Sequence, residues 1–278
     1  MEGISFGNFL SSIKKAISQS KSFLFCTHTK KRKIFFIMKE ELASNNFPKH
    51  VAIMMDGNRR WAKKNKLPVF WGHKEGAQTL IKIVRAASKM GVKILTVYAF
   101  STENWTRSKA EVGVLMNLLH FYLMNQKKTM IEEGVRLDTI GDIAKLPKRL
   151  QNVLAATKEA TKEGKEIDLV LALNYGGRDE IVRSCTRICE DVKKNILSIK
   201  AIDEETFANY LDTHFIPDPD LVIRTSGEKR ISNFLLWQIS YSELVFTDVL
   251  WPDFKEEDLK NAIIQYQKRE RRLGGNLV

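Results

Sequence analysis

Cysteine is scarce in this chain of 278 residues: only Cys26, Cys185 and Cys189 occur. None pairs in the C-x-x-C spacing of metal ribbons and dithiol redox centres, which excludes those classes and reads as a reducing, cytoplasmic compartment. Proline (6) and glycine (15) are too few for a collagen-like or low-complexity chain. Long apolar runs are missing as well. In the first 46 residues the two most apolar pieces, Phe23 to Cys26 and Ile34 to Met38, are split by Lys30-Lys31-Arg32-Lys33. Neither approaches the roughly 20 apolar residues of a membrane span, and the order of charge and apolar run is wrong for a secretory signal. There is no G-x-x-x-x-G-K-[ST] loop, no G-x-G-x-x-G after a strand and no H-E-x-x-H, so the commonest nucleotide-binding and zinc-protease signatures are excluded.

Positive charge is plentiful: Lys+Arg 45 against Asp+Glu 33, a formal net charge of +12. Its placement matters more than its size. Met1 to Ile37 carries seven basic residues and one acid, half of the whole excess. The remainder is mildly basic and has no stripe of cations interleaved with stacking aromatics, so nucleic acid is not expected as a partner. Residues 1–46 are expected to be a basic, flexible extension, and residues 47–278 the folded domain. For the extension three readings stay open: an upstream addition with Met38 as the working start, a basic membrane-surface arm, or an organellar presequence, which would be Ser-rich and acid-poor as this is but richer in Arg.

Hydrophobic residues at 44% and charged residues at 28% are ordinary for a folded protein and exclude a disordered one. From His50 onward, short β-rich apolar runs alternate with longer amphipathic stretches. Strands are expected at 51–55, 94–100, 135–140, 168–173, 221–224 and 244–246, and helices at 73–90, 109–133, 147–163, 178–195, 203–212 and 255–271. Near-continuous apolar strands separated by helices predict a single α/β domain, with a central parallel sheet of six strands covered on both faces. In such sheets ligands bind beyond the carboxyl ends of the strands, so the residues just after each strand carry the functional information.

After the first strand comes Asp56-Gly57-Asn58-Arg59-Arg60-Trp61. A carboxylate, a pair able to turn sharply and two arginines suit a metal–phosphate site, although a solvated basic turn reads almost as well. The second strand ends in Ser101-Thr102-Glu103-Asn104-Trp105-Thr106-Arg107, a polar loop with one Trp and one Arg that suits substrate contact. A capping box of Ser108 and Glu111 explains part of it without any function. After the fifth strand, Arg224 and the run Arg230-Ile231-Ser232 place two arginines and hydroxyl groups for a second anion. Glu243 opens an apolar run, where a carboxylate is more often an exposed end residue than a ligand. His73 stands out among the histidines because it opens a helix just downstream of the first basic loop, while Gly176 and Gly177 read as ordinary turn glycines.

Together these segments resemble the cis-prenyltransferases, specifically the undecaprenyl diphosphate synthase family. The resemblance runs from about Lys49 to Gly275 and rests on HVAIMMDGNRRWA (50–62), GHKEG (72–76), YAFSTENWTR (98–107), NYGGRDEI (174–181), the long block from Asp220 to Phe254, and RERRLGG (269–275). It implies addition of isopentenyl diphosphate units to an allylic diphosphate such as farnesyl diphosphate, giving a long-chain polyprenyl diphosphate, the undecaprenyl carrier precursor of cell-wall synthesis. It also implies Mg²⁺, a homodimer and a hydrophobic tunnel, with peripheral membrane contact for product release. By position match Asp56 is the acid that engages Mg²⁺ and the allylic diphosphate. Gly57, Asn58, Arg59, Arg60 and Trp61 line that diphosphate with His73 beside it. Ser101, Thr102, Glu103, Trp105 and Arg107 belong to a substrate loop, and Asn104 matches a proposed proton acceptor, though a neutral amide suits a positioning role better. Arg224, Arg230, Ile231 and Ser232 hold the isopentenyl diphosphate, and Glu243 contributes to Mg²⁺ binding. Tunnel walls are expected at Ala77, Val97 and Ala99.

Three positions depart from the family pattern. Val69 stands where a basic residue usually touches the allylic diphosphate, Arg59 where Gly is common, and Lys229 where His is common. Arg59, with Lys63, Lys64 or Lys66, is the expected compensation. The competing reading is a non-catalytic partner subunit; such subunits lack the acid, so Asp56 argues against it.

Overall fold

A computed structural model describes residues 46–269. The basic extension and most of the last motif lie outside the described residues. In chain order the elements are β1 (His50–Met54), α1 (Asn58–Lys64), α2 (Val69–Met90), β2 (Ile94–Ser101), a 3₁₀ turn (Thr102–Thr106), α3 (Lys109–Glu132), β3 (Val135–Ile140), α4 (Lys148–Thr161), β4 (Ile167–Tyr175), α5 (Gly177–Lys193), α6 (Glu204–Asn209), β5 (Leu221–Arg224), β6 (Glu243–Phe246) and α7 (Glu256–Gln267). The strands form one six-stranded sheet in the order β3-β4-β2-β1-β5-β6, with every neighbouring pair parallel.

All five β1 residues and all four β5 residues are buried, as the apolar runs demand of central strands covered on both faces. The chain leaves β1 for β2 on one side and later returns to β5 on the other. The β1/β5 boundary is therefore the topological switch point, where strand ends splay open and ligands bind. His50 is locked under this sheet. Its Nδ1–H donates to the Pro217 carbonyl at 2.7 Å, which leaves Nε2 to accept from Thr96 Oγ1 at 2.8 Å, and burial pushes its pKa down to about 4.

Two departures from the expected elements have simple causes. Helix α1 lies where the sequence predicts no helix, because seven residues are too few for a periodic signal; Gly57, at φ 108°, makes the left-handed step that starts it. Helix α2 begins at Val69 instead of 73, because Val69, Phe70 and Trp71 are exposed and so add nothing to its buried periodicity. Among the described residues no helix is long and apolar enough to cross a membrane.

Candidate active site

Asp56 sits just beyond β1, at the switch point. Its backbone N–H donates to Thr225 Oγ1 at 2.9 Å, and that hydroxyl donates to the Asp56 carbonyl at 2.7 Å, which ties the ends of β1 and β5 together. The carboxylate is held from two sides. Oδ1 accepts from the Gly57 N–H at 2.8 Å, and Oδ2 accepts from Arg224 Nη2 at 3.0 Å. Arg60 lies 3.7 Å from Oδ1. It also donates to the carbonyl and hydroxyl of Ser226 and pairs with Glu228 at 3.0 Å. With its side chain 39% exposed, the acid faces solvent while its orientation is fixed.

Arg224 is itself almost out of solvent, its side chain being 5% exposed. Besides Asp56 it donates to the Arg230 carbonyl and to Ser232 Oγ (2.7 Å), so it clamps the 230–232 loop onto the acid. Its Nε is buried without a hydrogen-bond partner. The longer stretch after β5 holds Ser226, Ser232, Asn233 and Leu235 at positive φ, a conformation non-glycine residues adopt only where the surroundings impose it. Arg230 reaches outward and pairs with Glu228.

A second cluster flanks the first. Glu111 Oε1 gathers Arg107 at 3.1 Å, His73 Nε2 at 3.6 Å and Arg59 at 4.0 Å. Burial and the neighbouring Arg107 hold the His73 pKa below its ordinary value, against the pull of Glu111, so the ring is neutral near pH 7. His73 Nε2 and Asn58 Oδ1 are both buried without hydrogen-bond partners, and both residues line the polar end of a cavity. The sequence pointed to Glu111 only as a cap; Ser108 Oγ does accept from its N–H at 3.2 Å, but the carboxylate is turned to the two arginines and His73.

The loop after β2 is a closed structural unit. Asn104 Oδ1 accepts from the Ser101 N–H at 3.2 Å, Trp105 Nε1 donates to Asn174 Oδ1 at 2.7 Å, and Glu103 accepts from Thr102 and from Asn233 (2.8 Å). Partial burial raises the Glu103 carboxyl, but these hydrogen bonds outweigh it and hold the pKa below the ordinary value. Gly176 and Gly177 are not ordinary turn glycines. A Cβ at Gly176 would lie 2.6 Å from Thr102 Oγ1 and 2.7 Å from Asn233 Nδ2, and one at Gly177 would lie 2.7 Å from Leu236, so their bareness lets the loops after β2, β4 and β5 meet.

From the His73 end, an apolar cavity runs between α2, α3 and the sheet, past Leu80, Val84, Leu119 and Leu123, to Met130 and Glu133. Ala77 and Ala99 line it as expected. Val97, fully buried on the same strand, does not. At the far end Glu133 accepts from Arg85 Nε at 2.7 and 2.9 Å.

One chain does not bring Glu243 to Asp56. Glu243 opens β6 level with Leu221 and Val51, at the amino end of the strands. Five residues of strand, about 16 Å, separate that level from Asp56, and the Glu243 carboxylate pairs with Arg269 at 2.5 Å. Trp61 is also turned aside, donating to Asp253 at 2.8 Å. Among the described residues no three His, Cys, Asp or Glu side chains group as a metal site. Asp56 is the one acid at the switch point held in place by a buried arginine. It suits an ion that takes one protein carboxylate and completes its shell with diphosphate oxygens, as Mg²⁺ does.

Comparison with known proteins agrees with this geometry. Residues 54–274 match the prenyltransferase family described as "Putative undecaprenyl diphosphate synthase". The chain is 51% identical over 248 residues, 87% of its length and 100% of the relative's, to the ditrans,polycis-undecaprenyl-diphosphate synthase ((2E,6E)-farnesyl-diphosphate specific) of Micrococcus luteus. It is 50% identical over 234 residues, 84% of its length and 92% of the relative's, to an isoprenyl transferase of Clostridium perfringens. Among solved structures, it resembles lavandulyl diphosphate synthase from Lavandula x intermedia in complex with dimethylallyl diphosphate, with a TM-score of 0.81, 38% identity and coverage of 84% of this chain and 100% of that one. An acid braced by a buried arginine at the mouth of a deep apolar cavity, and a family match across most of the chain, lead to one conclusion: the chain belongs to the undecaprenyl diphosphate synthase family of cis-prenyltransferases.

Proposed function

We propose that the protein lengthens farnesyl diphosphate, or a similar allylic diphosphate, with successive isopentenyl diphosphate units to give undecaprenyl diphosphate. The observation that carries this is the junction of two anion-binding groups, Asn58-Arg59-Arg60 with Asp56 and Arg224 with the 230–232 loop, at the polar end of one apolar cavity. A single condensation needs no such depth; repeated addition of C₅ units does.

Asp56 and the two diphosphates are the groups suited to hold Mg²⁺, which, when bound, neutralises charge on the departing diphosphate. In each round the allylic C–O bond breaks, the C4 carbon of isopentenyl diphosphate bonds to the allylic carbon, and a proton leaves C2. Arg59, Arg60 and Asn58 orient the allylic diphosphate, while Arg224, Arg230, Ile231 and Ser232 hold the isopentenyl diphosphate. Negative charge grows on the leaving oxygens, so fixed guanidinium groups stabilise the transition state more than the ground state. The departing diphosphate is the natural proton acceptor, with neutral His73 beside it. Asn104, whose Oδ1 is engaged by the Ser101 N–H, holds the loop that carries Ser101, Thr102, Glu103, Trp105 and Arg107 against the substrates. The tail gains roughly 0.8 kcal/mol per buried CH₂, at most about 4 kcal/mol per C₅ unit, so each round binds the intermediate more firmly until the cavity is full.

The enzyme is further proposed to work as a homodimer, since Glu243 can approach a Mg²⁺ ion at Asp56 only from a second copy. Incubation with farnesyl diphosphate, labelled isopentenyl diphosphate and Mg²⁺, with mass analysis of the product, tests the assignment. A C₅₅ product is expected, and activity is expected to vanish with a chelator and return with Mg²⁺. No lengthened product from any of several allylic primers would overturn it.

A further inference from the structure

Two asparagines without a part in the reaction above hold the loop after β2 from opposite sides. Both lie in the left-handed region, Asn174 at φ 47° and Asn233 at φ 65°, where Asn is among the few non-glycine side chains to settle. Asn174, buried near the end of β4, accepts from Trp105 Nε1 at 2.7 Å and donates to the Asp142 carbonyl at 2.9 Å. It fastens the loop to the end of the sheet. Asn233 fastens the same loop to the site of the other substrate.

Three hydrogen bonds meet at Asn233. Its carbonyl accepts from the Gly177 N–H at 2.7 Å and its Oδ1 from the Arg178 N–H at 2.9 Å. Those two satisfy orphan donors at the start of α5 and would by themselves explain an asparagine here. The third does not serve the helix: Nδ2 donates to Glu103 Oε1 at 2.8 Å, an exposed carboxylate on the loop that carries Ser101, Trp105 and Arg107. The bare Gly176 makes room for it, since a Cβ there would lie 2.7 Å from Nδ2. On its other side Asn233 is joined by one peptide bond to Ser232, whose Oγ accepts from Arg224 Nη1 at 2.7 Å. Arg224, Ser232, Asn233 and Glu103 thus form one unbroken path between the two anion-binding groups. Arg224 and Ser232 spend a hydrogen bond on each other, so a diphosphate held by both must draw on that bond. Ser232 (φ 43°) and Asn233 are consecutive left-handed residues, which leaves the backbone few ways to move one without the other.

We propose that Asn233 is a positioning residue that couples the two diphosphate sites: isopentenyl diphosphate at Arg224 and Ser232 sets Asn233, and through Glu103 the loop that lies over the allylic diphosphate. This rests on the elongation reading above, which supplies the two ligands. Coupling of this kind is reciprocal, so each substrate tightens the binding of the other by the same factor. Repeated condensation gains from it, because each new C₅ unit then meets an allylic end already held in the reacting geometry.

The test uses the full chain with Mg²⁺ and farnesyl thiolodiphosphate, whose bridging sulfur keeps the allylic carbon bonded, titrated by calorimetry with and without saturating isopentenyl diphosphate. The wild type is expected to bind the analogue about tenfold more tightly when isopentenyl diphosphate is present. In Asn233→Gly, which keeps the left-handed backbone and with it the bond from Gly177, that ratio should fall to about twofold or less. Asn233→Asp keeps an acceptor for Arg178 but sets a second carboxylate against Glu103, which its hydrogen bonds hold ionised, and should lose the coupling too. Asn233→Asp/Glu103→Gln reverses the donor and the acceptor and should bring back about fivefold. A residue that only caps α5 gives no such rescue. Asn174→Gly loosens the same loop from its other side; it should weaken the analogue under both conditions and leave the ratio near ten. Full coupling in Asn233→Gly, no rescue in the double variant, or equal loss of coupling in Asn174→Gly would each overturn the assignment. A wild type that binds both ligands independently overturns it while leaving the elongation reading intact. A wild type that binds neither ligand overturns that reading, and the coupling falls with it.

Discussion

Arg224 shows how much one side chain carries. It is buried, touches the acid after β1, and bonds the backbone and a hydroxyl of the loop that presents Arg230. A unit-charge contact at about 4 Å is worth on the order of 4 kcal/mol at an effective dielectric near 20. Arg224→Ala is therefore expected to lower kcat/KM by about 10³-fold. Arg224→Lys should recover little, because one ammonium cannot span three acceptors fixed in a fork. Steady-state kinetics with each substrate varied in turn checks this. Asp56→Ala should abolish turnover with circular dichroism unchanged, because the acid faces solvent and packs no core. His50 belongs to stability instead. Its folded-state pKa of about 4 lies below the ordinary 6.5, so the neutral ring stabilises the fold fully above pH 6.5, and this contribution is lost as pH falls toward 4. The loss is on the order of 3 kcal/mol. Urea midpoints measured across that window should fall for the wild type and fall less for His50→Gln.

At the scale of elements, the strands were the most legible, because a central parallel strand is apolar at nearly every position, and each appears within two residues of its expected place. What stayed hidden was whatever lacks a period. Helix α1 is too short to show one, and the first turn of α2 is apolar outward. The positive φ of Ser226, Ser232 and Asn233 follows from the clamp by Arg224 and from the meeting of loops, neither of which leaves a local mark. Glu111 was hidden for a different reason: its capping role was visible and sufficient, while its three partners, two arginines and a neutral histidine, come from α1, the β2 loop and α2. The pairing of α2 with α3 also sets how far the tunnel runs. Its walls are apolar until Glu133, where the half-exposed pair with Arg85 begins to admit water. A tail that passes this point gains nothing further from burial. Replacing the pair by Arg85→Leu/Glu133→Leu extends the apolar wall and is expected to lengthen the product by one or more C₅ units, read by mass analysis. An exposed ion pair contributes only about 0–1 kcal/mol, so the fold should survive.

Among the described residues the sheet ends at β6, a four-residue strand that begins with Glu243 and follows the exposed Tyr241. A motif read along the chain placed Glu243 beside the metal. The parallel register places it about 16 Å from Asp56, at the other end of the strands. Both statements hold if two copies associate so that Glu243 of one approaches the Asp56 site of the other. The consequence is testable without any knowledge of the interface. Asp56→Ala and Glu243→Gln should each be nearly inactive alone. Co-expressed in equal amounts with random pairing, half of the dimers are mixed. Each mixed dimer then has one site with both lesions and one with neither, so about a quarter of wild-type activity should return. If Glu243 acts within its own chain, every site in the mixture still carries a lesion and no activity returns. Complementation thus separates a site completed by a partner from one built by a single chain, by a difference no misfolding of either variant can imitate.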